Sequence, residues 1–128
     1  MILMDTNVCI RILRGREDAV KAFSENVGDV AIPFMVLGEL YYGAARSNDP
    51  VHGKSLVDRF AKAIPVVDSS AEIIARFGAE KARLVAAGTP VEDADVLIVA
   101  TALVCGGRIA TGNTRHFSRF EDLEVMVW

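Results

Sequence analysis

Short apolar blocks alternate along the chain with longer stretches of helical spacing. Ile2–Met4 reads as a short buried strand. Asp5, Thr6 and Asn7 are helix-start residues, and the helix they open runs to about Arg14, where Gly15 stops it. Glu17 to Asn26 reads as a second helix, ended by Gly28. Val30–Ile32 is a strand closed by Pro33. Val36, Leu37, Leu40 and Tyr41 then recur at helical spacing, which predicts a helix from about Phe34 to Arg46. Ser47-Asn48-Asp49-Pro50 reads as a loop, with a helix over Ser55 to Ala63 and a strand at Pro65–Val67. Ser69 and Glu72 have capping-box spacing and open a long helix, through Ala71, Ile74, Phe77 and Leu84, that ends before Gly88. An apolar helix follows from about Asp93 to Cys105, and Gly106-Gly107 turns it into a strand, Arg108–Thr111. A helical piece around His116–Phe120 precedes a last strand, Leu123–Val127.

Strands alternating with helices predict an α/β sandwich with a mostly parallel sheet and right-handed crossovers. At 128 residues the chain reads as one domain, 1–128. Apolar residues make up 52% of it, which argues against disorder. Its longest mostly apolar run, Val96 to Cys105, is too short to span a bilayer and suits a buried helix. The N-terminal apolar residues have no basic region before them and are interrupted by Asp5, so no signal peptide is expected and the cytoplasm is the expected location. Cys9 and Cys105 lie far apart in apolar contexts and read as small core residues. His52, in a loop-like stretch, and His116 show no zinc-type arrangement and read as surface residues. A net charge of −3 argues against tight nonspecific DNA binding, without excluding an enzyme that touches a few phosphates.

The acidic residues can be sorted by topology, because ligands of such sheets gather beyond the carboxyl ends of the strands. Asp5 follows the first strand directly. Glu39 lies in the second turn of the helix after the second strand. The Asp93–Cys105 helix joins the next strand through two glycines, so the two run antiparallel. That brings Asp95, in the first turn, close to Asn113, just past the strand end, with Asp93 as a neighbour. Carboxylates in one pocket repel each other unless some are protonated or a cation holds them. Oxygen ligands without a His/Cys cluster suit a hard cation, Mg²⁺ or Mn²⁺. Such a site fits phosphodiester chemistry, in which the metal lowers the pKa of a bound water and stabilises developing charge. Taken singly, each residue has a plainer use: Asp5 and Asp93 suit N-caps, Asp95 a helix dipole, Glu39 a solvated helix face and Asn113 a turn.

Five segments, in order and at compatible spacing, resemble the VapC-type PIN-domain toxins of bacterial toxin–antitoxin pairs. They are MDTN (Met4–Asn7), GELYYGA (Gly38–Ala44), GTPVEDADVLIVATAL (Gly88–Leu103), ATGNTRHFSRF (Ala110–Phe120) and LEVMVW (Leu123–Trp128). The resemblance implies a PIN-domain three-layer α/β/α sandwich and Mg²⁺- or Mn²⁺-dependent cleavage of RNA. It places the family's catalytic carboxylates on Asp5, Glu39 and Asp95, with Asp5 and Asp95 as metal ligands. Many PIN domains carry a fourth carboxylate after the last-but-one strand, where this chain has Asn113. An amide there adds no charge, and Asp93 is the candidate to compensate. The resemblance further implies a homodimer and a VapB-type antitoxin that lays a segment along an apolar groove and aims an arginine at the carboxylates. Phe34, Leu37, Tyr41 and Tyr42 exceed what one core-facing stripe needs and are candidates for those interfaces. Arg11, Arg14, Arg16, Arg115 and Arg119 flank the strand-end segments and are candidates for phosphate contacts.

Other acidic-pocket α/β proteins fit less well. A phosphoacceptor receiver domain needs paired early acids and a late lysine, where this chain has one early acid and the stretch ATGNTR. A haloacid-dehalogenase-type phosphatase needs D-x-D-x-[TV], and DTNVC lacks the second aspartate. The alternative kept open by Asn113 is a non-catalytic PIN-like module that binds RNA or a protein partner.

Overall fold

The computed structural model describes residues 1–128, and strand pairing organises all of it. In chain order the elements are β1 (Ile2–Met4), α1 (Thr6–Leu13), α2 (Glu17–Glu25), β2 (Val30–Pro33), α3 (Phe34–Ala45), α4 (Pro50–Ala63) and β3 (Val66–Val67), followed by α5 (Ala71–Ala86), α6 (Asp93–Val104), β4 (Arg108–Thr111), α7 (Thr114–Phe117) and β5 (Glu124–Val127). The five strands form one sheet in the order β3-β2-β1-β4-β5. Every pairing in it is parallel. The chain therefore steps outward from β1 to β3, then crosses back to β4 on the other side of β1. With right-handed crossovers this reversal puts helices on both faces and opens a crevice at the carboxyl ends of β1 and β4.

The middle of the sheet is apolar on both faces, as burial by two helical layers requires. All three β1 residues are fully buried, as are Ala31, Ile32, Ile109 and Ala110 on its neighbours. Helix α6 lies against β1, β2 and β4 and is buried over most of its length. Its one buried hydroxyl, Thr101, donates to the Leu97 carbonyl at 2.8 Å, so no polar group is stranded there. The α6–β4 turn needs both its glycines: Gly106 and Gly107 have φ of 109° and 81°. A side chain on Gly107 would also meet the Asp122 carbonyl oxygen at 2.8 Å. This tight reversal sets the start of α6 beside the end of β4.

Three local expectations shift. Helix α4 starts at Pro50 rather than Ser55, so His52 is an exposed helical residue and not part of a loop. Asp49 caps it, accepting from the His52 backbone N–H at 3.1 Å, and Pro50 takes the first-turn position where its missing N–H costs nothing. Gly53 then lets α4 close onto α3, since a Cβ there would sit 3.2 Å from Ala44. The cap of α5 is Ser70, whose hydroxyl accepts from Ile73, and not Ser69. That one-residue difference turns Ile73 into the core and leaves Ile74 about half exposed. Finally, the last helical piece is Thr114–Phe117, starting two residues closer to β4 than the His116–Phe120 spacing implied. Cys9 is fully buried, as expected, while Cys105 is only half-buried.

Candidate active site

Asp5 serves two purposes at once. Its backbone N–H extends the β1–β4 ladder to the Ala110 carbonyl at 3.0 Å, and its side chain caps α1. One carboxylate oxygen accepts from the Val8 N–H at 2.9 Å, and the other accepts from the Thr111 hydroxyl. The residue is 5% exposed. Burial pushes its pKa above the usual carboxylate value, the Thr111 and Val8 hydrogen bonds pull against that, and the charges of Asp95 and Glu39 push it further up. No arginine, lysine or histidine side chain bonds to it. The capping role foreseen for Asp5 is real, and it coexists with a convergence of acids.

Glu39 is half-buried in the second turn of α3, and its Oε1 accepts from the Thr6 hydroxyl at 2.7 Å. Asp95 sits in the first turn of α6 with its side chain 30% exposed. Its Oδ2 lies 3.4 Å from the Nδ1 of His116 on α7. Asn113 follows β4, exposed; its backbone N–H donates to the Thr111 hydroxyl at 2.9 Å, and its side chain caps nothing. Asp93 turns away toward α5, where Lys81 meets it at 3.0 Å. The fold thus brings Asp5, Glu39 and Asp95 within electrostatic reach of one another, sets Asn113 alongside, and holds Asp93 in an ion pair elsewhere.

Three residues of this edge were not foreseen as part of it: Thr6, Thr111 and His116. Each touches one of the three acids: the Thr6 and Thr111 hydroxyls donate to Glu39 and Asp5, and the His116 ring lies against Asp95. The hydroxyls stand in the quoted segments MDTN and ATGN, but an alcohol beside an acid carries no local signal of its target. His116 reads as a surface histidine until β4 and α6 are placed side by side. One expectation fails for Arg11, whose guanidinium is taken up by the Trp128 carbonyl and Asp18 and is not free for phosphate. Arg14, Arg115 and Arg119 remain exposed, and Arg14 lines a groove of about 230 Å³ between α1, α3 and α4. Ile10, Leu13, Leu40, Leu56 and Val57 give that groove an apolar floor, and Glu39 stands in its lining. Leu37 and Tyr41 pack partly on the core. Tyr42 is largely exposed, with Arg46 over its ring.

As they stand, no three of the His, Cys, Asp and Glu side chains form a closed metal cage. The donor set nevertheless suits a hard divalent cation. It is all oxygen, it contains a buried carboxylate with no cationic partner, and like charges surround that carboxylate.

A five-stranded parallel sheet with three acids gathered at its topological switch point defines an acid-edged α/β protein. The comparisons make this specific. The chain matches the PIN domain over residues 2–123. It is 33% identical over 127 residues to the tRNA(fMet)-specific endonuclease VapC of Shigella flexneri, covering 98% of this chain and 96% of that protein. Among solved structures, DNA-bound VapBC from Salmonella typhimurium superposes with a TM-score of 0.93 at 30% identity, covering 100% of this chain and 99% of that one. VapBC2 from Rickettsia felis, bound to a promoter DNA fragment, gives 0.91 at 26% identity with 100% and 99% coverage. The chain belongs to the PIN-domain family and, within it, to the VapC ribonucleases. No helix is long and apolar enough to cross a membrane.

Proposed function

We propose that this chain is the toxin of a type II toxin–antitoxin pair, a single-domain endoribonuclease that uses Mg²⁺ or Mn²⁺ at Asp5, Glu39 and Asp95. The observation that carries the reading is Asp5: buried, ionisable, adjacent to two further acids and without a cation of its own. Asp5 and Asp95 would hold the ion, with Glu39 as the third carboxylate. Bound there, it would polarise the attacking water and offset charge developing on the phosphate. The chain's own contribution is orientation. The Val8 N–H and Thr111 hydroxyl fix both Asp5 oxygens, and the Thr6 hydroxyl fixes Glu39, so little reorganisation is left for the moment of reaction. Asn113 lends no fourth charge, and Asp93, paired with Lys81, is best placed as a remote contributor at most.

The solved relatives are VapBC complexes, which supports a VapB-type antitoxin as the partner. The apolar groove that runs to Glu39 suits a segment with apolar side chains and a terminal basic one, which would silence the site by occupying it. A homodimer belongs to the same proposal, and light scattering of the purified chain tests it.

The activity test is cleavage of total RNA by the antitoxin-free chain with Mg²⁺ or Mn²⁺, compared with EDTA and with Asp5→Asn. Metal-dependent cutting that Asp5→Asn abolishes supports the reading. RNA binding without cutting under either metal, by a chain shown to be folded, replaces it with the non-catalytic binding module.

A further inference from the structure

We propose that His116 is a positioning residue for Asp95, its Nδ1–H group holding the carboxylate in the orientation in which it takes its share of the metal ion. The proposal rests on the reading of Asp5, Glu39 and Asp95 as a metal centre. It comes from a pattern in how the three acids are held. Each meets a polar side chain from another part of the chain: Thr111 faces Asp5, Thr6 faces Glu39, and His116 faces Asp95.

For Asp95 that contact is the whole of its side-chain restraint. The carboxylate sits at the exposed start of α6, and His116 Nδ1 is its one protein partner. The separation of 3.4 Å is at the long end of hydrogen bonding. Catalytic contacts of this kind shorten once the site is loaded. An ionised carboxylate can only accept, so the proposed hydrogen bond uses the tautomer that carries its hydrogen on Nδ1. With Oδ2 held by the imidazole, Oδ1 is turned free for the cation. Outer groups that orient a ligand in this way tune metal affinity almost as strongly as ligands do.

The imidazole is itself held in place. Helix α7 is tied at its start by the Asn113 N–H to the Thr111 hydroxyl, 2.9 Å, and at its end by the buried ring of Phe117. The same Thr111 hydroxyl donates to Asp5. Residues 113–116 therefore supply two donors, a backbone amide to the hydroxyl that holds Asp5 and an imidazole to Asp95. The segment restrains the carboxylates instead of adding to their charge.

The test is a Mn²⁺ titration of the antitoxin-free chain by calorimetry, with RNA cleavage measured across the same Mn²⁺ concentrations. The variants are His116→Ala, His116→Asn, His116→Gln and Asp95→Ala. Asparagine places an amide N–H close to where Nδ1 lies; glutamine places it near Nε2. His116→Ala should bind Mn²⁺ about tenfold more weakly and should regain most of its cleavage at saturating Mn²⁺. His116→Asn should restore affinity, and His116→Gln should not. Wild-type Mn²⁺ affinity in a folded His116→Ala chain overturns the proposal, as does an effect on the KM for RNA alone, which would make His116 a substrate contact. Wild-type affinity in Asp95→Ala removes Asp95 from the ligands and the proposal with it, while leaving the Asp5 and Glu39 reading in place. A wild-type chain that binds no Mn²⁺ overturns the metal centre and the proposal together.

Discussion

Two carboxylates of this chain are buried, Asp5 at 5% exposure and Glu80 at 9%, and the protein treats them in opposite ways. Glu80, in the middle of α5, meets Arg76 at 3.0 Å and Arg83 at 2.9 Å. Its burial works to raise its pKa, but the two guanidiniums outweigh that and hold it below the usual value. Asp5 has a hydroxyl and a backbone amide, and the charges nearest to it are negative. Its pKa goes the other way. Glu80 is a completed ion-pair network that asks for nothing more. Asp5 is a charge the fold leaves without a counter-charge, and the proposed metal ion would supply one.

The largest expected difference is in activity. Asp5→Asn should lower RNA cleavage by more than about 100-fold, because the exchange removes a proposed metal ligand. Glu80→Gln should leave cleavage at the wild-type level. Equal loss in both variants, measured on one RNA at one metal concentration, would erase the distinction. Next in size is stabilisation by metal. Mn²⁺ at 100 times its dissociation constant should add about 2.7 kcal/mol to the unfolding free energy of the wild-type chain. It should add nothing to Asp5→Asn and the full amount to Glu80→Gln, as read by urea denaturation.

Stability without metal should then reverse the ranking. Glu80→Gln should cost about 1 kcal/mol, since the arginines it strands are themselves partly solvated. Asp5→Asn keeps the cap acceptor for Val8 and removes a buried like charge, so at neutral pH it should be as stable as wild type or slightly more so. The smallest effect is the pH dependence of those two gaps, measured in EDTA, and their signs differ. The raised pKa of Asp5 means its ionised form is disfavoured in the fold. Its cost is present at neutral pH and disappears as falling pH protonates it. The lowered pKa of Glu80 makes its contribution favourable above the unfolded pKa and lost as pH falls through the folded one. Both gaps should close on acidification, one from above wild type and the other from below. Gaps of the same sign at neutral pH would contradict the comparison.

What could be read from the sequence were the features with local signals. β1 shows as an apolar run, α6 as an apolar helix closed by two glycines, Asp5 and Asp95 as acids at predicted element ends, and Glu39 as an acid in the second turn of α3. Together with the rule for parallel sheets, these sufficed to gather the acids at one edge. Where two local signals conflict, the sequence alone does not decide between them. Pro50 and Gly53 look like loop punctuation, but they are a first-turn proline and a close-contact glycine inside α4. Ser69 and Ser70 are both plausible caps, and only the packing of Ile73 decides between them. Contacts between distant residues were not legible at all. Thr6 reaches Glu39 across 33 positions and Thr111 reaches Asp5 across 106, and neither alcohol announces its partner. The fate of Arg11 depends on Trp128 lying beside it, which only the closed sheet brings about.

The order of the strands also fixes when, during synthesis, the acid edge can exist. β1 precedes its neighbour β4 by about a hundred residues, and the hydroxyl that holds Asp5 lies 106 residues beyond it. A ribosome adds roughly 5–20 residues per second, so for several seconds the growing chain carries Asp5 and Glu39 with no α6, no β4 and no Thr111. A peptide released early by a nonsense codon or a stalled ribosome has its first two acids but no crevice between them. For a cell that makes such a toxin, the topology is a delay built into translation: the acid edge forms only once β4 and Thr111 have followed β1 out of the ribosome.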